Sequence, residues 1–159
     1  MRTAISLLAV ALTLAPTQLT AQGGQPMHAT GTFDVTVTPA PATPFETAAN
    51  LTRYTLVKQI HGGLEGAAHG EMLSTATEST GAMAYVALDR LDVTLNGRKG
   101  TFILLHQATM LRTDPNSGVM KIVIMKDSGT GDLTGISGDL TIHIDAHGHH
   151  TYTLNYQLP

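Results

Sequence analysis

Between residues 32 and 38 the chain reads Thr-Phe-Asp-Val-Thr-Val-Thr, a strict polar and apolar alternation. That is the period of a strand with one face buried. Pro39, Pro41 and Pro44 follow. Proline cannot donate to a ladder, so this stretch reads as a linker to the next strand. Further strands are predicted at 51–60, 64–74, 82–95, 101–111, 119–126, 140–145 and 151–158, each bounded by turn residues. With the first they make about eight, and no stretch among them has a helical period. The pattern predicts an all-β fold, an antiparallel β-barrel of about eight strands. It forms one domain over residues 29–159 behind a flexible tail at 22–28.

Matching apolar faces predicts the register of three hairpins, because a slip of one residue would turn every side chain over. Around a His61-Gly62-Gly63 loop, Ile60 faces Leu64, Lys58 faces Gly66, Leu56 faces Ala68 and Tyr54 faces Gly70. The other face then sets Arg53 across from Glu71 and Gln59 across from Glu65. Such exposed pairs give minor support, so Glu71 reads as structural. Asn96-Gly97 is a turn dipeptide that tolerates positive φ. Pairing Val93 with Phe102 around it places Asp89 opposite His106 and Tyr85 opposite Met110. In the last hairpin an odd loop such as His147-Gly148-His149 pairs Ile144 with Tyr152, Ile142 with Leu154 and Leu140 with Tyr156. His143 and Asp145 then fall on the polar face.

The N-terminus has its own signature. Met1-Arg2 precedes an almost unbroken apolar run at 4–14, too short to cross a bilayer of roughly 30 Å as a helix. With small Ala21 before Gln22, residues 1–21 read as a signal peptide, cleaved near Ala21. The product is expected to be secreted or periplasmic, without a membrane anchor. Composition narrows the classes further. With no Cys, disulfide scaffolds, Cys-ligated zinc sites and thiol enzymes are excluded. Nine Lys+Arg stand against twelve Asp+Glu and form no basic stripe, so nucleic acid is not an expected partner.

Within the predicted lumen, Asp89 and His106 are the candidate catalytic pair, since a carboxylate can orient an imidazole for proton transfer. A satisfied internal hydrogen bond explains the same pairing. Lys58 lies between Leu56 and Ile60 on the inward face. It could anchor the carboxylate of an apolar ligand or extend its ammonium to the barrel mouth. Tyr54, Lys58, Phe102, His106, Met110 and Tyr152 are the expected ligand-binding residues. Met72, Met83, Met110, Met120 and Met125 add soft apolar surface. His143, His147, His149 and His150 invite a metal, but the register scatters them over different faces. Neither a metal site nor a cofactor is therefore expected. No serine stands in a nucleophile-elbow sequence.

Gly63-Leu64-Glu65-Gly66, Gly70-Glu71-Met72 and Gly97-Arg98-Lys99-Gly100-Thr101-Phe102 are joined by a longer motif. It runs Ser128-Gly129-Thr130-Gly131-Asp132-Leu133-Thr134-Gly135-Ile136-Ser137-Gly138. Together they resemble domain-of-unknown-function family 3224, small and mostly bacterial proteins whose fold is similar to the allene oxide cyclase and dirigent barrels. The resemblance spans residues 29–158. It implies a barrel of that kind and carries no catalytic assignment. Read physically, Gly129, Gly131, Gly135 and Gly138 suit a strand bending at a barrel corner. A phosphate loop would need a helix after the glycines, where a strand is predicted instead.

These readings converge on an exported barrel that holds a small, mainly apolar molecule without catalysis. Two alternatives stay open. One is a cofactor-independent isomerase or cyclase using Asp89 and His106. The other is a structural or oligomeric module, since the 122–125 segment is apolar on both faces.

Overall fold

The computed structural model describes residues 25–159. The expected signal peptide and its cleavage site lie outside the described residues. Eight strands follow one another: β1 (Met27–Pro39), β2 (Thr52–Gly62), β3 (Leu64–Ala76), β4 (Ala82–Leu95), β5 (Arg98–Leu111), β6 (Asp114–Ile124), β7 (Ser137–Ile144) and β8 (His150–Gln157). Each pairs antiparallel with the next, and β8 closes on β1 as a barrel. Closure gives every strand a neighbour on both sides, with β6 and β7 in register only around Val123 and Asp139. No helix among the described residues is long and apolar enough to cross a membrane.

The predicted alternation is real, and β1 extends it: the strand begins at Met27, taking in the end of the expected tail. The proline linker differs from expectation by holding a one-turn helix, α1 (Pro44–Ala48). Thr43 and Glu46 make a reciprocal capping box there, with Thr43 N donating to Glu46 Oε2 at 2.7 Å and Glu46 N donating to Thr43 Oγ1 at 3.2 Å. A single turn is too short to carry a visible helical period.

All three predicted registers need the same correction. Ile60 lies opposite Gly66 and Lys58 opposite Ala68. Val93 lies opposite Gly100 and Asp89 opposite Leu104, while Ile142 lies opposite Tyr152. Each partner is displaced by two residues, so the inward and outward faces survive while the neighbours change. Turn geometry fixes the offset. Asn96 (φ 46°) and Gly97 (φ 87°) both take positive φ, a two-residue turn that joins Leu95 directly to Arg98. The exposed Arg53–Glu71 pair persists as a diagonal contact at 3.6 Å, with Leu73 now opposite Arg53.

The two ends of the barrel differ. At one end the β6–β7 connection folds under the strands and forms a short 3-10 turn at Gly131–Leu133. Leu133 and Ile136 are fully buried there within the main core, together with Phe102, Leu95 and Leu154. Thr130 N donates to Thr101 O at 2.9 Å, and Thr101 N donates to Thr130 Oγ1 at 3.1 Å. A side chain at Gly100 would run into the Thr130 carbonyl. The glycine-rich motif thus plugs the barrel, in place of the strand corner expected from sequence. At the other end the barrel is open. The β6–β7 seam aligns only around Val123 and Asp139, and Asn116 Nδ2 bridges it at the mouth by donating to Ile144 O at 2.7 Å.

Candidate functional site

Above the plug, the lumen first narrows to a void of about 20 Å³ beside Asp89, Leu91, Leu104 and Tyr152. It then widens into a cup of about 200 Å³ open at the mouth. Phe33, Lys58, His106 and Ile142 line both spaces and form the floor of the cup. Val35, Val37, Leu56, Met72, Met83, Met120 and Ile144 make its walls.

An ion cluster occupies the floor. Lys58 Nζ donates to Asp89 Oδ2 at 2.5 Å and stands 5.2 Å from the centre of the Phe33 ring. His106 Nε2 lies 3.1 Å from the same carboxylate oxygen. That approach falls outside hydrogen-bond geometry, so it is an electrostatic contact. His106 and Asp89 sit diagonally across β4 and β5, because Ala87 takes the place opposite His106. The predicted pairing therefore had the wrong rung, yet the two side chains meet. Asp89 is 1% exposed, and its Oδ1 has no hydrogen-bond partner among the described residues. Gly70 makes the space: a Cβ there would strike Asp89 Oδ1 and the Leu88 carbonyl.

Charge follows from this packing. Burial pushes the Asp89 carboxyl up, but His106 and the Lys58 ammonium outweigh it and hold the group below its usual range. Asp89 is therefore an anion paired with a cation. Burial, then the Asp89 charge, pushes the Tyr85 phenol up to about 12. His150 is held below its usual value, chiefly by burial and then by the Lys58 charge. Its ring lies 4.8 Å from that of Phe33 on the cup wall.

Lys58, Asp89 and His106 thus come together as the sequence suggests, and Lys58 meets an acid instead of extending freely to water. The other expected binding residues are dispersed. Phe102 is wholly buried in the plugged end. Tyr152 borders the small void, and its hydroxyl accepts from Leu64 N at 2.8 Å. Tyr54 is half-buried on β2. Met110 borders a groove at the rim beside Met83 and Leu111. Tyr85 and His150, both lining the cup, are not among the expected ligand-binding residues, with His150 weighed only as a metal ligand. Their signal was present in the alternation, which puts Tyr85 in step with Asp89 and His150 in step with Tyr152. Of the histidine cluster, His149 Nδ1 contacts Asp145 Oδ2 at 2.9 Å, and Asp145 Oδ1 accepts from the His147 and His149 backbone N–H groups. That acid shapes a turn. No group of three or more His, Cys, Asp or Glu among the described residues is placed to hold a metal ion.

A closed barrel of eight antiparallel strands, packed solid at one end and opening at the other onto a floor of buried charge, defines the class as a small lumen-bearing β-barrel. A family model described as protein of unknown function (DUF3224) matches residues 29–156. The chain belongs to that family. It is similar to a crystal structure of a DUF3224 protein with unknown function from Shewanella oneidensis, at 34% sequence identity and a TM-score of 0.74. The alignment covers 85% of this chain and 100% of that one. No curated protein matches.

Proposed function

We propose that the chain is an exported binding barrel whose open half receives one small, mainly apolar molecule. Export rests on the pattern of residues 1–21. The observation that carries the binding reading is the mixed floor, an apolar cup of about 200 Å³ ending on Lys58 and His106. A buried ion pair is a poor device for stability, since well-packed apolar residues do as well or better. Ligand sites, by contrast, are apolar concavities with a few placed polar groups. The cup is below the roughly 300–1,000 Å³ of drug-sized pockets, which points to a ring-sized or short-chain compound.

Filling the cup tests the reading. Ala87→Phe occupies it from the wall, and Ile144→Trp narrows it at the mouth. Native mass spectrometry of protein exported by its host should show a bound small molecule, lost in whichever variant keeps the parental melting temperature. Bare protein in every preparation, or an adduct indifferent to both substitutions, would overturn the reading.

A second reading, an interaction module that pairs with a second copy of the chain, is favoured by a separate observation. The outside of β3, β4 and β5 presents Leu73, Val86, Leu88 and Leu105 beside Phe45 of α1, around an open groove of about 510 Å³. An isomerase or cyclase role would rest on Asp89 and His106. Their contact lies off hydrogen-bond geometry, and Lys58 already neutralises the acid, so binding is the reading we favour.

A further inference from the structure

Resting on the reading of the cup as a ligand site, we propose that its ligand is an apolar monocarboxylate, and that the molecule enters together with one proton. The polar groups reaching the cup are Lys58, His106, His150 and Tyr85, and no acid lines it. Asp89 lies beneath the floor, bordering only the small void. From above, the floor therefore offers an ammonium and an imidazole backed by a hidden carboxylate. An ammonium has three donors. One of Lys58's goes to Asp89, and the others suit an oxygen acceptor descending from the mouth. Phe33, Val35, Leu56, Met72 and Ile142 suit an apolar body above it.

Charge balance supplies the proton. Lys58 and Asp89 cancel, so the floor is neutral while His106 is neutral. A second carboxylate on Lys58 would leave one uncompensated negative charge in a low-dielectric space, which is costly. Placing a proton on His106, already 3.1 Å from Asp89 Oδ2, restores neutrality. The ammonium and the imidazolium then face the two carboxylates, and the proton comes from solvent through the open mouth. Lys58 comes from β2, Tyr85 and Asp89 from β4, His106 from β5 and His150 from β8, while β1, β3, β6 and β7 line the cup with apolar side chains. Asp34 and Asp145 act on His150 at the wall.

The test compares three probes with one body and different heads: 3-phenylpropanoate, 3-phenylpropanol and 3-phenylpropylamine. They are titrated calorimetrically into the mature protein in buffers of different ionisation enthalpy. The acid should bind about tenfold or more tightly than the alcohol, the advantage expected of a charged hydrogen bond. It should take up about one proton per molecule bound, and its affinity should fall as pH rises. Asp89→Asn removes the hidden charge, so the acid should bind this variant more tightly, with no proton uptake and a flat pH profile. Equal binding of acid and alcohol, or acid binding without proton uptake to the unaltered protein, overturns the carboxylate proposal and leaves the cup reading standing. Tightest binding of the amine would do the same. If none of the three binds, the cup reading falls as well. The comparison on unaltered protein decides the matter even where Asp89→Asn does not fold.

Discussion

At Asp89 one carboxylate oxygen serves Lys58 and His106 together, while the other has no partner among the described residues. Removing one member of a buried pair strands the other, at a cost of about 3–5 kcal/mol. Lys58→Met should lower stability by that order in chemical denaturation, and Lys58→Met combined with Asp89→Leu should recover much of it. Gly70 is tied to the same group, because any side chain there meets the Asp89 carboxylate and the Leu88 carbonyl. Gly70→Ala should cost about 1–3 kcal/mol, the range for overpacking. Ultraviolet titration of the phenols offers an independent check. Tyr85, raised to about 12 by burial and the Asp89 charge, should ionise late together with Tyr152, which burial also raises, and Tyr85→Phe should remove one of the two late phenols. These side chains were legible in part. Alternation alone put Lys58, Asp89 and His106 on the inner face, because side-chain direction has period two. Alternation says nothing of depth along the barrel, so Phe102 in the plugged end looked equivalent to a residue at the mouth.

Strand identity survived the passage from sequence to structure better than pairing did. Each hairpin is offset by two residues from the register that apolar matching predicts, because face matching fixes only whether an offset is odd or even. The β6–β7 connection shows a different limit. Its glycines suggested a bend, but the decisive residues are Leu133 and Ile136, which bury themselves under the barrel only through long-range packing. Leu133→Ala should destabilise by about 2–5 kcal/mol and leave cup affinity unchanged, since Leu133 does not line the cup. The β7–β8 turn carries a pH dependence of one sign in two steps, since both contributions are lost as pH falls. His150 is held below its usual 6.5 by burial and Lys58, so the unfolded chain protonates first. Its part of the stability is intact above about pH 6.5 and falls as pH drops from there through the lower folded value. Asp145, held at about 2 by the His149 and His147 contacts, contributes stability above its unfolded value near 3.9 that is lost as pH falls towards 2. His150→Gln should remove the first decline in a series of melting curves and keep the second.

For the molecule as a whole, closure decides how copies could associate. Outside the β6–β7 seam the strands are laddered on both sides and leave no edge for strand addition, so a contact between copies there must use a face or a rim. One outer face is equipped for it. Phe45 is 77% exposed, Val86 and Leu88 about half exposed, and Leu105 lies beside Leu88 in the next strand. Arg53 and Glu71 stand 3.6 Å apart at its border, so the patch carries both charges and can complement its own image across a twofold axis. A stable pairing needs about 800 Å² from each partner, and patches of this kind are otherwise limited on lone domains. Sedimentation velocity should therefore show a dimer. Leu88→Glu enters such an interface twice and sets its new charge near both copies of Glu71, so it should give a monomer. Because Leu88 points away from the lumen, that monomer should bind the cup probes with unchanged affinity. A parent protein that stays monomeric at high concentration would remove the interaction reading, and the cup would stand without it.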